Sequence, residues 1–216
     1  MLRKIVIKFL SEWQVSSGIG DGYLADNKIS RDSDGFPYIP GRAVKGALRE
    51  GANLLARCED REDLKKVSEI IFGTASQDDK VNQAGIIRVG GAHLDKGLTS
   101  LLNSIESDAK QDALKDMISY RSETKLKEDK QVVDGSLRRL ECGIPELELE
   151  ADIEIENNQA LSEKWLDSYL SAVCAAVKSI GGDRARGLGK CKITVKGLEQ
   201  NKVELPEVLK GDVQWK

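Results

Sequence analysis

LELEADIEI (residues 147–155), LSEKWLDSYLSAVCAAVKSI (161–180) and GGDRARGLGKCKITV (181–195) follow one another almost without a break. In the first, Leu147, Leu149, Ala151, Ile153 and Ile155 alternate with acidic residues, the period of a strand with one buried face. In the second, Leu161, Trp165, Tyr169, Val173, Ala176, Val177 and Ile180 keep helical spacing. The third closes on a short strand, Cys191 to Val195. The same order occurs earlier in the chain. Ile5, Ile7 and Phe9 alternate with Lys4 and Lys8 over 2–10, a helix is expected from Gly41, and 84–89 reads as a strand. Two strand–helix–strand halves fit an α+β sandwich of ferredoxin-like type.

Working outward, the helix from Gly41 carries Val44, Ala47, Leu48, Gly51, Leu54 and Leu55 as one apolar stripe. Arg42, Lys45 and Arg49 lie off that stripe around Gly46, a basic side with a gap where another backbone can approach. A second helix is predicted over 61–72, and 98–119 is helical but weakly patterned. Residues 120–139 are highly charged with no core stripe and read as a projecting, solvated hairpin. No internal repeat or strong linker divides the chain, so residues 1–216 are expected to form a single domain.

The chain has 216 residues, 40% hydrophobic and 32% charged, with a formal net charge of −3. That balance suits a globular protein and excludes a uniformly basic nucleic-acid binder, so an anionic ligand needs a local patch. No stretch is apolar enough to span a membrane, and residues 1–10 lack the apolar core of a signal peptide; cytoplasmic residence without membrane contact is expected. Cys58, Cys142, Cys174 and Cys191 form no CxxC pair, and with His93 alone a zinc site is disfavoured.

The run Gly181-Gly182-Asp183-Arg184-Ala185-Arg186-Gly187-Leu188-Gly189-Lys190 interleaves glycines with basic side chains. Glycine permits close backbone approach, and arginine offers a fork of donors matched to phosphate oxygens. A nucleotide P-loop does not fit, because Arg184 stands where its first glycine belongs and Cys191 where its hydroxyl belongs. The dinucleotide pattern also fails, with Lys192 at the third glycine position. A plain turn joining helix to strand remains the bland alternative. A second glycine-rich loop, residues 16–22, includes Gly18 and Gly20, and the early loop adds the carboxylates Asp21, Asp26, Asp32 and Asp34. Such carboxylates can hold hydrated Mg²⁺ or serve as acid or base, but most often they form turns.

Together these segments resemble the RAMP superfamily of CRISPR effector subunits, above all the repeated backbone subunit of type III complexes. Ile39-Pro40-Gly41-Arg42-Ala43-Val44-Lys45-Gly46-Ala47-Leu48-Arg49 matches the family's IPG-x-x-x-KG-x-LR helix start, and residues 181–189 match its C-terminal glycine-rich loop. Residues 135–141 resemble the return from its thumb into a core strand. The resemblance implies an RRM-related ferredoxin-like core with insertions and a projecting thumb hairpin at about 120–134. It implies a subunit that stacks with copies or paralogues of itself and other effector subunits along a guide RNA (crRNA), gripping the sugar-phosphate backbone. Gly18, Gly20, Arg42, Lys45, Gly46, Arg49, Gly182, Arg184, Arg186, Gly187 and Gly189 are the implied RNA contacts. Asp26-Asn27 and Arg31-Asp32 align with the family's aspartate loop. Asp26 is thereby the implied catalytic and metal-binding (Mg²⁺ or Mn²⁺) residue for endoribonuclease cleavage of complementary target RNA at regular intervals, and Asp32 a loop organiser pairing with Arg31. The chain departs from many relatives in reading Val15-Ser16-Ser17 where they carry a histidine, and Val89-Gly90-Gly91-Ala92 where they carry an aspartate. An architectural, non-cleaving subunit, as in type III-D systems with diverged paralogues, is therefore the alternative. A guide-processing ribonuclease is disfavoured by the single His93.

Overall fold

The computed structural model describes residues 1–18, 25–58, 60–74, 83–124, 127, 129–156 and 161–198. Strands β1 (Leu2–Phe9), β2 (Ile87–Val89), β5 (Glu148–Ile155) and β6 (Cys191–Val195) form a sheet in the order β2-β5-β1-β6. Every neighbouring pair is antiparallel, with Ile5 opposite Ala151 on one side and Val195 on the other. Because β1 opposes both β5 and β6, the latter run parallel to each other, as β1 does to β2. The chain therefore makes two interleaved crossovers, the ferredoxin-like arrangement expected from the sequence. Helices α1 (Gly41–Cys58) and α2 (Glu62–Phe72) lie in the first crossover, and α5 (Glu163–Ala176) lies in the second.

The alternating strand residues form the core floor. Ile5, Ile7 and Phe9, then Leu149, Ala151, Ile153 and Ile155, then Cys191, Ile193 and Val195 are buried with Val44, Leu48, Leu170 and Val173 in one cluster. Gly51 lets α1 meet α5 closely, since a Cβ there would lie 2.8 Å from the Val173 carbonyl. The buried line of α1 runs Val44, Leu48, Ala52, Ala56, while Leu54 is exposed. Steps of four keep a residue facing the sheet, so the expected stripe drifts away from Leu54 by the second half of the helix.

The opposite sheet face is a ladder of charges. Glu150 accepts from Lys196 at 2.8 Å and Lys4 at 3.0 Å, and Lys8 meets Glu146 at 2.8 Å. Those contacts, the Lys196 bond foremost, hold the Glu150 carboxyl below its ordinary pKa.

Three expectations are corrected. Helix α5 stops at Ala176 rather than 180, because 177–180 run extended: Ile180 N–H donates to Gly189 and Cys191 N–H to Lys178. The stretch 98–119 divides into α3 (Lys96–Ser104) and α4 (Ser107–Asp116), leading into strand β3 (Ile118–Glu123). Strand β4 (Arg138–Gly143) pairs with β3 in a separate two-stranded ribbon instead of entering the core sheet. That ribbon is the charged hairpin anticipated over 120–139. It is tied to the body where Trp13 and Gly143 exchange backbone hydrogen bonds of 3.1 and 2.8 Å.

Candidate functional site

The glycine–arginine loop is braced from beneath by residues 12–14. Gly182 N–H donates to the Gln14 carbonyl (2.9 Å) and Gly189 N–H to that of Glu12 (2.7 Å). Two glycines are required by this docking. A Cβ at Gly181 (φ +102°) would lie 2.2 Å from Gln14 O, and one at Gly189 (φ +74°) 2.0 Å from Ile180 O. Gly187 also has positive φ, +88°, but a Cβ there would meet nothing within 4 Å. Asp183 adopts the left-handed conformation, and Arg184–Arg186 form a single 3₁₀ turn that lifts both arginines outward. They are exposed but paired: Arg184 bonds Glu50 at 2.5 Å, and Arg186 bonds Glu123 of β3 and Asp183. The Arg184–Glu50 pair is exposed on both sides and is worth about 0–1 kcal/mol, so phosphate can replace that carboxylate at small cost.

The basic side of α1 separates into two kinds of residue. Arg42 and Gly46 are exposed, and a Cβ at Gly46 would meet nothing within 4 Å. Lys45 instead turns inward and donates to the Ile87 carbonyl at 2.9 Å, where burial and the nearby Arg49 lower its ammonium pKa. Arg49 donates to the Phe72 carbonyl and ties α1 to the end of α2. Both long side chains thus serve the fold in this structure. What stays outward is Arg42, Gly46 and Glu50, spaced by four residues on one helix face. Glu50 meets Arg184, so about 12 Å of helix connects Arg42 to the glycine–arginine loop in one exposed strip.

Beside the start of β4, Asp26 is exposed and accepts from Arg139 N–H through Oδ2 (2.7 Å). Beside it, Asn27 bridges to Leu140, and Glu141 N–H donates to the Asn27 carbonyl at 3.0 Å. The expected Arg31–Asp32 pair does not form. Arg31 pairs with Glu141, which is 1% exposed and also accepts from Ile29 N–H. Asp32 does organise its loop, accepting from the N–H groups of Asp34 and Phe36 and approaching His93. Gly18 follows a turn in which its N–H donates to Ser16 Oγ. Gly20 lies outside the described residues, as does the Asp21 carboxylate.

Glu141 and the Asp32–His93 contact had no local signal in the sequence, because their partners lie 110 and 61 residues away. Among the described residues no group of three or more His, Cys, Asp or Glu side chains could hold a metal ion. No described helix is long and apolar enough to cross a membrane.

The sequence profile of the RAMP superfamily matches residues 6–192, and the chain belongs to that superfamily. No curated protein matches it. Among solved structures, the fold is similar to a chain of the type III-B Cmr-beta complex bound to cognate target RNA, at 12% identity, 90% of this chain, 97% of that one and TM-score 0.66. It is similar to a chain of the apo Cmr-beta complex at 12% identity, 91% and 98% coverage and TM-score 0.68. A chain of a type IV-B CRISPR complex is similar at 17% identity, 98% and 100% coverage and TM-score 0.58.

Proposed function

We propose that this chain is an RNA-binding backbone subunit of a CRISPR effector ribonucleoprotein, assembled with other subunits along a guide RNA. The observation that carries this reading is the exposed strip from Arg42 through Gly46 to Arg184 and Gly187. Two cationic forks stand at its ends, and two glycines without neighbours leave room for a sugar-phosphate chain to lie close. Nothing on the strip reads a base edge, which suits a grip on backbone regardless of sequence. Superfamily membership and the likeness to chains of complexes that include an RNA-bound one support the same reading.

Within that reading we favour an architectural role over target cleavage through Asp26. The described residues offer a single carboxylate there, already bonded to Arg139 N–H, and no ligand cluster around it. Likeness to a type IV-B chain over nearly its whole length supports this choice. The test is nuclease footprinting of the reconstituted ribonucleoprotein on its guide RNA. Protection at a regular interval, together with intact complementary RNA in Mg²⁺ or Mn²⁺, is the expected outcome. Regular cuts in the target would restore the cleaving role for Asp26, and absence of periodic protection would remove the filament reading.

A further inference from the structure

Tyr38 and His93 stack with ring centroids 4.9 Å apart and planes 15° from parallel. Three separate segments build this pair. Asp32 Oδ2 lies 3.3 Å from His93 Nδ1. A carboxylate only accepts, so Nδ1 carries the proton of that bond and the ring orientation is fixed. Gly91 leaves the necessary space: a Cβ there would stand 2.8 Å from His93 Nε2 and 3.3 Å from Tyr38 Cδ2. Ile39 and Ala92 exchange both backbone hydrogen bonds, at 2.9 and 2.8 Å, and lock the two ring-bearing segments edge to edge.

Core packing does not account for the pair. Neither ring belongs to the hydrophobic core, and the His93 side chain is 46% exposed. Tyr38 forms one wall of a cleft at the start of α1 that Ser17 and Arg42 also line. The Arg42 side chain makes no hydrogen bond or ion pair among the described residues, so a guanidinium stands ready beside a fixed aromatic surface. A base needs a flat π-face, and its phosphate needs a cation within a nucleotide's reach; the cleft offers both.

We propose that Tyr38 and His93 form a stacking platform for one base of a bound RNA strand, with Arg42 on the adjoining phosphate. The proposal rests on the RNA-binding reading and adds a base site to it. Stacking tolerates any base, so the grip stays independent of sequence. The rings are already ordered, which keeps the cost of immobilising them on binding low.

The test compares affinities of the full chain for a 12-nucleotide single-stranded RNA and for the same ribose-phosphate chain lacking bases. The wild-type protein is expected to prefer the base-bearing strand by about tenfold. His93→Ala should reduce that preference to twofold or less, His93→Phe should keep most of it, and Arg42→Ala should weaken both strands alike. Equal wild-type binding of the two strands, or a preference that survives both His93→Ala and Tyr38→Ala, overturns the platform while leaving phosphate binding standing. Failure of the wild-type protein to bind either strand overturns the RNA-binding reading and the platform with it. Circular dichroism melts of each variant identify any loss that comes from unfolding.

Discussion

Asp26 and Arg139, 113 residues apart, exchange two hydrogen bonds: Arg139 N–H donates to the Asp26 carboxylate at 2.7 Å, and Asp26 N–H donates to the Arg139 carbonyl at 2.9 Å. The clasp fixes the early aspartate loop to the first residues of β4, at the opposite end of the ladder from the Trp13–Gly143 anchor. Arg139 in turn lays its guanidinium over the Tyr120 ring, 4.7 Å from its centroid, on the paired strand. An aspartate singled out for chemistry thus has a structural task of its own, and any test of its chemistry must separate the two.

Substitution by two residues makes that separation. Asp26→Ala removes one hydrogen bond to a charged acceptor, about 1–2 kcal/mol, and should lower the melting temperature by about 2–6 °C. Asp26→Asn keeps a side-chain oxygen for Arg139 N–H and should melt near the wild type. Guide-RNA binding should survive in both. If the assembled complex cuts target RNA, loss of cutting in the stable Asn variant would assign the charge to catalysis. Unchanged cutting would confine Asp26 to the fold.

Two glycines of the same loop should respond very differently to alanine. Gly189→Ala places a Cβ 2.0 Å from the Ile180 carbonyl at positive φ, so the loop must shift from its seat on residues 12–14. A loss of several kcal/mol or insoluble protein is expected. Gly187→Ala meets only the left-handed penalty, about 1–2 kcal/mol, in open space. Urea midpoints of the two variants measure the contrast, and equal effects would contradict the docking described above.

The salt dependence of RNA binding should sort four of the five implied cationic contacts into two classes. Arg184→Ala and Arg186→Ala should each flatten the slope of log K against log salt by about 0.7 where a phosphate contact is lost. Lys45→Ala and Arg49→Ala should leave the slope unchanged and lower stability instead, since each serves a backbone carbonyl. Glu50→Gln releases Arg184 and should raise affinity a few-fold at low salt. A flattened slope in Lys45→Ala would mean that its side chain swings out to RNA.

Acid should expose the contribution of Glu150. Its folded pKa is lowered beneath the ordinary 4.5 by Lys196 and Lys4. Its stabilisation is therefore complete above about pH 4.5 and is lost as pH falls through the lowered folded value, because the unfolded chain binds the proton first. With two partly exposed ion pairs the amount is about 1 kcal/mol. Glu150→Gln should lie below the wild type by that amount at pH 7, and the gap should close towards pH 3 in urea melts. A gap independent of pH would assign the loss to packing.

Periodicity made the sheet and its two principal helices legible. Ile5, Ile7 and Phe9, and likewise Leu149, Ala151 and Ile153, can place their apolar atoms on one side only if each segment is a strand. The order of those segments leaves few ways to pair them. The end of α5 was not legible, because Val177 and Ile180 fit a helical face and a buried extended segment equally well. Only the hydrogen bonds from Ile180 N–H to Gly189 and from Cys191 N–H to Lys178 distinguish the two.

By itself, then, the sequence determined the alternation, the two crossovers, the glycine–arginine run and the aspartate loop, all properties of neighbours along the chain. The tertiary structure alone decided which charges remain available. A long side chain on a polar helix face can reach solvent or a carbonyl of another element, and helical spacing does not distinguish these. Lys45 and Arg49 found the carbonyls of Ile87 and Phe72, Arg31 found the buried Glu141, and Asp26 found Arg139. Arg42 lines the cleft beside Tyr38 and makes no side-chain hydrogen bond or ion pair with the described residues.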